Sequence, residues 1–311
     1  MRSDFLLMTV LTVFIVCLCT SSAAGQNVEH VPSAFELLST KAEVILIEND
    51  LAVPTEKGHL QGIQWVEINE EEKLLISGSS RYLAYLLKID LAGKKAEKLI
   101  PLMKDPFRHA GGMQVEDPYL AVGIEDNVLK TTSKVRVYDY REETWGETDA
   151  VLTIERTGAA KQQTAGATGI LALENYHLMV VANWDSRSWD FYKVDLKKGE
   201  QKRLWRFAAP ADWASYQSIN LLKDKESIYV IGFYRKGNRD FADLILVSSL
   251  GAFSPIMSMV STKEFQCKSG ADFNTAAGLQ IDQRGQLHIW ATQRDALKRI
   301  VINRFSQYAR R

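Results

Sequence analysis

From residue 42 onward the chain is built of short runs of five to eight residues rich in Val, Ile, Leu, Tyr and Trp. Within them apolar and polar positions alternate at least partly, and the runs stop at turn residues such as Ala92-Gly93 and Lys198-Gly199. A period of two sends successive side chains to opposite faces of a pleated strand, and β-branched and aromatic residues suit that half-buried surface. No segment keeps apolar residues at helical spacing over several turns. The pattern predicts an all-β chain.

A repeat organises the runs. Gly62-Ile63-Gln64, Gly112-Met113-Gln114, Gly169-Ile170-Leu171, Ser218-Ile219-Asn220 and Gly278-Leu279-Gln280 each place a small residue before an apolar one, then usually a carboxamide. Three further strands are predicted behind each of the first four segments. They are Lys73–Ser77, Ala84–Asp90 and Lys95–Leu102, then Tyr119–Ile124, Lys134–Tyr140 and Ala150–Glu155. The third set is His177–Asn183, Trp189–Leu196 and Gln201–Phe207; the fourth is Ser227–Phe233, Asp243–Ser248 and Ile256–Ser261. The fifth repeat supplies only Gly278–Asp282, Leu287–Thr292 and Arg299–Ser306, whereas Ala42–Glu48 precedes the first repeat without a partner. An N-terminal strand completing the last repeat would close the chain into a ring and remove sheet edges that invite aggregation.

Four-stranded repeats closed in this way resemble the β-propeller superfamily as a whole, over roughly residues 42–306. The resemblance implies one propeller domain, residues 42–311, with five blades and six as the alternative. A β-sandwich also has many short strands but leaves the repeat unexplained. Gly-His and Trp-Asp hallmarks are absent apart from a single Trp184-Asp185 in a loop, so no family's functional residues carry over.

Charge removes one class of partner. Lys plus Arg and Asp plus Glu each number 38, giving a formal net charge of zero. A nucleic-acid binder draws most of its affinity from phosphate contacts and shows a basic excess that is missing here. Residues 1–25 read as an export signal: Arg2, an apolar run from Phe5 to Cys19, then Ser21, Ser22, Ala23, Ala24 and Gly25. The run falls short of the ~20 residues that span a bilayer comfortably, so no membrane insertion is expected after cleavage. Residues 26–41 are expected to form a loosely packed arm or tether. Beyond the signal only Cys267 remains, and no Asn-x-Ser/Thr occurs, which suits a secreted or periplasmic protein.

Propeller geometry sorts the candidate residues. Loops between blades share one face, here the upper face, with loops joining second and third strands, and first strands line a central channel whose mouth is concave. His59, Gln61, His109, Thr164, Thr168, Tyr216, Gln217 and Asn274 stand at the starts of first strands. Arg81, Glu125, Asp126, Trp184, Asp185, Arg187, Tyr234, Arg235 and Arg294 stand in loops after second strands. His59, Arg81, His109, Trp184, Arg187, Tyr216, Tyr234, Arg235 and Arg294 are the ligand-binding candidates; the alternatives are that the two histidines bond a neighbouring blade's backbone and the arginines pair with carboxylates between blades. Trp189 and Trp213 nearby either pack between blades or extend an aromatic rim over the third and fourth, which would suit a protein, peptide or glycan.

The alternative is a hydrolase. Glu125, Asp126 and Asp185 supply carboxylates for glycoside hydrolysis, or for Ca²⁺ and metal-assisted, lactonase-like chemistry. Gly-x-Ser-x-Gly, His-Glu-x-x-His and phosphate-loop motifs are absent. Cys267 reads as a packing residue, the repeat glycines as points of close packing, and Gln64, Gln114, Asn220 and Gln280 as bonds across the channel or to water.

Overall fold

The computed structural model describes residues 28–54, 56–142, 145–146, 150–248 and 255–308; the expected export signal, residues 1–25, lies outside them. Every predicted strand is present. Strand β1 (Glu43–Glu48) comes first in the chain. The first unit is β2 (Leu60–Ile68), β3 (Glu71–Ser79), β4 (Leu83–Asp90) and β5 (Lys95–Lys104). The second is β6 (Phe107–Glu116), β7 (Tyr119–Asp126), β8 (Thr132–Asp139) and β9 (Ala150–Thr157). The third is β10 (Ala167–Leu173), β11 (Tyr176–Ala182), β12 (Ser188–Asp195) and β13 (Glu200–Ala208). The fourth is β14 (Ser218–Lys223), β15 (Ile228–Lys236), β16 (Arg239–Ser248) and β17 (Ile256–Phe265). The last three strands are β18 (Ala271–Ile281), β19 (Leu287–Gln293) and β20 (Arg299–Ser306). Each unit is antiparallel throughout, and β1 completes the fifth by pairing with β20, Glu43 opposite Arg304 and Glu48 opposite Arg299.

Burial explains why the units assemble. Their strands are apolar on both faces near the centre, and the buried side chains fall into five clusters, each between two neighbouring units. Leu75 and Leu86 of the first unit meet Val122 and Tyr138 of the second. Val135 and Val137 meet Met179 and Val181, and Val180 and Phe191 meet Val230 and Ile245. Phe233 and Leu244 meet Phe273 and Phe305, and Ile300 and Ile302 meet Leu74 and Ile76 across the closing junction. Facing apolar sheets of this kind are the favourable term in folding.

The channel is filled rather than open. Inner strands expose backbone groups along their channel-side edge, and a carboxamide can both donate to and accept from such an edge. Gln64 donates to Met113 O at 3.1 Å and accepts from Val115 N at 3.3 Å. Gln114 donates to Leu221 O and accepts from Leu221 N, both at 2.7 Å, and from Ile170 N at 2.9 Å. Asn220 donates to Met113 O at 3.2 Å and accepts from Leu279 N at 2.8 Å. Three side chains thus tie together β2, β6, β10, β14 and β18. Gln280 departs from the expectation: it accepts from Trp290 Nε1 within its own unit. Two repeat glycines make the approach feasible. A Cβ on Gly278 would stand 1.6 Å from Ile63 O, and one on Gly112 2.6 Å from Gln217 O.

The N-terminal arm is not loose, contrary to expectation. Helix α1 (Val31–Glu36) begins after His30, whose Nδ1 accepts from Ser33 N. It buries Val31 and Phe35 completely in the cluster between the fourth and fifth units. Each such burial contributes about 1.5–3 kcal/mol. The helix was illegible in the pattern because one and a half turns give too few positions to display a period. Deleting residues 26–48 removes this helix and β1 together. The truncated protein should lose its cooperative thermal transition and leave the monomer peak in size-exclusion chromatography; a monomer with an unchanged melt would refute the closure.

Candidate functional site

The upper channel mouth is a hollow of about 340 Å³ lined by His59, Gln61, His109, Trp184, Asp185 and Arg294, with Ser215, Gln217 and Asn274 on the side of the fourth unit. Each comes from the start of a first strand, or from a loop joining a second strand to a third. The repeat register explains the convergence. His59, His109 and Ser215 each lie three residues before the small residue of their repeat, and Gln61 and Gln217 one residue before it. Applying that register to Ser218 would have singled out Ser215, which the sequence reading missed.

The imidazoles are held neutral. His59 accepts burial on the channel wall, which lowers its pKa, although a 2.9 Å bond to Leu60 O opposes the shift. His109 packs edge-on against His59, centroids 5.3 Å apart, and burial pushes its pKa down to about 3. Behind it lies Glu125, 1% exposed, whose Oε2 accepts from Ala165 N at 3.0 Å. Burial raises the Glu125 pKa to about 7. Its Oε1 stands 3.7 Å from His109 Nε2, beyond hydrogen-bond range, and both atoms are buried without a partner. Buried polar atoms are usually paired, so these two stand out as an unmade contact behind the wall of the hollow.

The other predicted site residues separate into those at the mouth and those with structural partners. Asp185 lines the hollow, and its Oδ1 accepts from Asn183 Nδ2 at 2.7 Å. Asp126 does not: it is buried and accepts from Val128 N at 2.9 Å and Leu129 N at 3.1 Å, fixing its own loop. Arg187 is spent on the carbonyls of Pro210, Trp213 and Ala214. Arg81 is exposed and pairs with Glu56, and Arg235 pairs with Asp272 at 2.8 Å. The expected aromatic rim is largely core. Trp189 and Tyr216 are buried at 0% and 1%, Tyr216 donating to Asp243 at 2.7 Å. Trp213 and Tyr234 are half-buried against them, and Trp184 alone of the five is exposed, with the Lys130 ammonium 3.7 Å over its ring. Flat aromatic faces satisfied the junction between the third and fourth units first. Cys267 is half-buried against the fourth–fifth cluster, as a packing residue should be.

Glu125 therefore does not face Asp185 across the hollow, because Asp185 is the one Asp or Glu in its lining. Among the described residues no group of three or more His, Cys, Asp or Glu side chains is gathered for a metal ion, and no helix is long and apolar enough to cross a membrane.

No family model matches the chain, and no curated protein matches it. Solved structures do. The catalytic domain of a GH62 α-L-arabinofuranosidase from Coprinopsis cinerea superposes with a TM-score of 0.57 at 9% identity, over 92% of this chain and 100% of that one. An exo-β-1,3-galactanase from Phanerochaete chrysosporium, solved with galactose, gives 0.49 at 8% identity, over 83% of this chain. A bifunctional GH43-CE protein from Bacteroides eggerthii gives 0.47 at 8% identity, over 85% of this chain. The chain spans 64% of the galactanase and 35% of the bifunctional protein. At such identity the likeness is one of fold: the chain is an all-β, propeller-type protein.

The Glu125 carboxyl gives a measurable pH dependence. Unfolded, it ionises near 4.5; folded, it keeps its proton to about 7. Its contribution to stability is present below pH 4.5 and is lost as pH rises to 7. Glu125→Gln keeps an oxygen for Ala165 N and does not ionise. Its stability relative to the unsubstituted protein should rise between pH 4.5 and 7.5 in urea melts, and a difference constant with pH would refute the assignment.

Proposed function

We propose that this protein is an exported, five-bladed propeller that recognises carbohydrate, and that the hollow at the upper channel mouth is its sugar site. Five antiparallel units with five apolar junctions support the blade count. Export rests on the signal-like residues 1–25.

The lining of the hollow carries the functional reading. Gln61 is 1% exposed with an unpartnered Oε1, and it stands among Gln217, Asn274, Ser215 and two neutral imidazoles. Sugar hydroxyls each donate and accept, so they match amides, hydroxyls and neutral imidazoles that do the same. Trp184 adds an apolar face at the rim. The fold likeness to an arabinofuranosidase catalytic domain favours a sugar over a protein or peptide, as does the burial of most of the aromatic rim.

Glycoside hydrolysis is the second reading, and the same likeness favours it. A carboxyl protonated to about 7, like Glu125, has the property a general acid needs. Against it, hydrolysis requires two carboxyl groups flanking the bond at ~5–10 Å, and the lining offers only Asp185.

Arabinose, galactose, xylose and their oligosaccharides form the test panel. A bound sugar at 100 times its Kd should stabilise the protein by ~2.7 kcal/mol, raising its Tm. Gln61→Leu should abolish that shift while leaving the unliganded Tm nearly unchanged, because the oxygen it removes has no partner. Release of reducing sugar, lost in Asp185→Asn, would establish the hydrolase; a Tm insensitive to every sugar would refute both readings.

A further inference from the structure

We infer that the site takes the end of an uncharged oligosaccharide chain, with the terminal unit in the channel mouth and the following units lying outward over the fourth unit of the fold. This rests on the carbohydrate reading and adds the length, polarity and direction of the ligand.

Three observations carry it. A second hollow, of about 690 Å³, opens beside the mouth and shares Ser215, Gln217 and Asn274 with it. The two adjoin at that shared wall, and both volumes fall in the ~300–1,000 Å³ range of ligand pockets. Each can therefore hold at least one sugar unit.

Downward the way is blocked. Gln61 belongs to the wall of the upper mouth, whereas Gln64 belongs to a separate hollow at the opposite end of the channel. Between the two ends the inner strands are stitched together by Gln64, Gln114 and Asn220. A chain cannot thread the ring, so the unit in the mouth is the last one.

The outward arm has the walls of a neutral sugar subsite. Trp213 is held against Trp189 and Phe207, and Tyr234 stacks on Phe241 with centroids 5.3 Å apart and planes at 18°. Rings fixed before binding lose little freedom when a sugar lies against them. The charged groups in this arm are mostly consumed internally. Arg235 donates to Asp272 at 2.8 Å, and Asp243 accepts from Tyr216 Oη at 2.7 Å and Thr262 Oγ1 at 2.6 Å. Asp212 and Lys236, the remaining charged pair of the lining, are opposite in sign.

Isothermal titration with neutral arabino- and galacto-oligosaccharides of one to four units, and with a trisaccharide of uronic acids, tests this. Affinity should rise at least tenfold from one unit to three in the series that binds, and the uronic trisaccharide should bind at least tenfold more weakly. Met259→Trp, which fills the arm from an exposed position, should reduce trisaccharide affinity at least fivefold and leave the single sugar unaffected. Tyr234→Ala should do the same, and Met259→Trp keeps the test decisive should that variant unfold. Sugars that bind equally at every length, or a Met259→Trp protein with undiminished trisaccharide affinity, would overturn the extended site alone. Absence of binding by any sugar would overturn the carbohydrate reading and this inference with it.

Discussion

Inner strands of the ring meet a neighbouring inner strand at single positions only, Ala167 opposite Gly112 and Ala277 opposite Gly62, and everything else depends on how the rest of that channel-side edge is satisfied. An unpaired buried N–H or C=O costs about 1–3 kcal/mol, and a ring of such edges would outweigh much of a domain's net stability. Gln64, Gln114 and Asn220 remove the cost at one level by bridging backbone groups of β6, β10, β14 and β18. Because the bridges are short, the strands must come close, and Gly112 and Gly278 are the positions where a side chain would prevent it. The same bridges turn a channel into a floor. A polar hollow open to solvent on one side and closed on the other follows from the packing that holds the ring together.

The ring's other requirement is closure. β1 supplies the outer strand of the last unit, and the Ile300–Ile76 cluster joins that unit to the first. Helix α1 then wedges Val31 and Phe35 beside Phe233, Phe265 and Phe273, so the segment preceding β1 is anchored in the core. Rigidity at the periphery matters for the site because its residues come from all five units. Arg187 shows how that rigidity reaches the rim: its guanidinium holds the 210–214 loop, which carries Trp213 and leads directly to Ser215 and Gln217.

Much of this was legible in the residues, and the failures have physical causes. Strand positions, the orphan Ala42–Glu48 and its partner Arg299–Ser306 followed from alternation and counting, because each strand has its own short-range signal. The cross-channel role of Gln64, Gln114 and Asn220 followed from their recurring register; Gln280 broke it because Trp290 Nε1 lies within reach on the neighbouring strand. The mouth residues His59, His109, Trp184, Asp185 and Arg294 were recognised by position. What position could not reveal was orientation. Arg187 and Asp126 sit in the right loops with side chains committed to backbone groups, and Tyr216 turns its ring inward to Asp243. Tyr216 was expected at the rim and Trp189 was open between rim and inter-blade packing, because sequence distinguishes aromatic from polar but not which of two faces an aromatic occupies.

Amide hydrogen exchange at Ile170, Leu221 and Leu279 tests the central claim most directly, since each of these amides donates to a channel carboxamide rather than relying on a ladder partner alone. If the carboxamides hold the ring and form the floor of the hollow, these three should exchange only through global unfolding, with the free energy measured by denaturant. Exchange several orders of magnitude faster than that of core strand amides such as Val180 and Val230 would mean the floor opens independently of the fold, and the account of a closed, blind-ended site would be wrong.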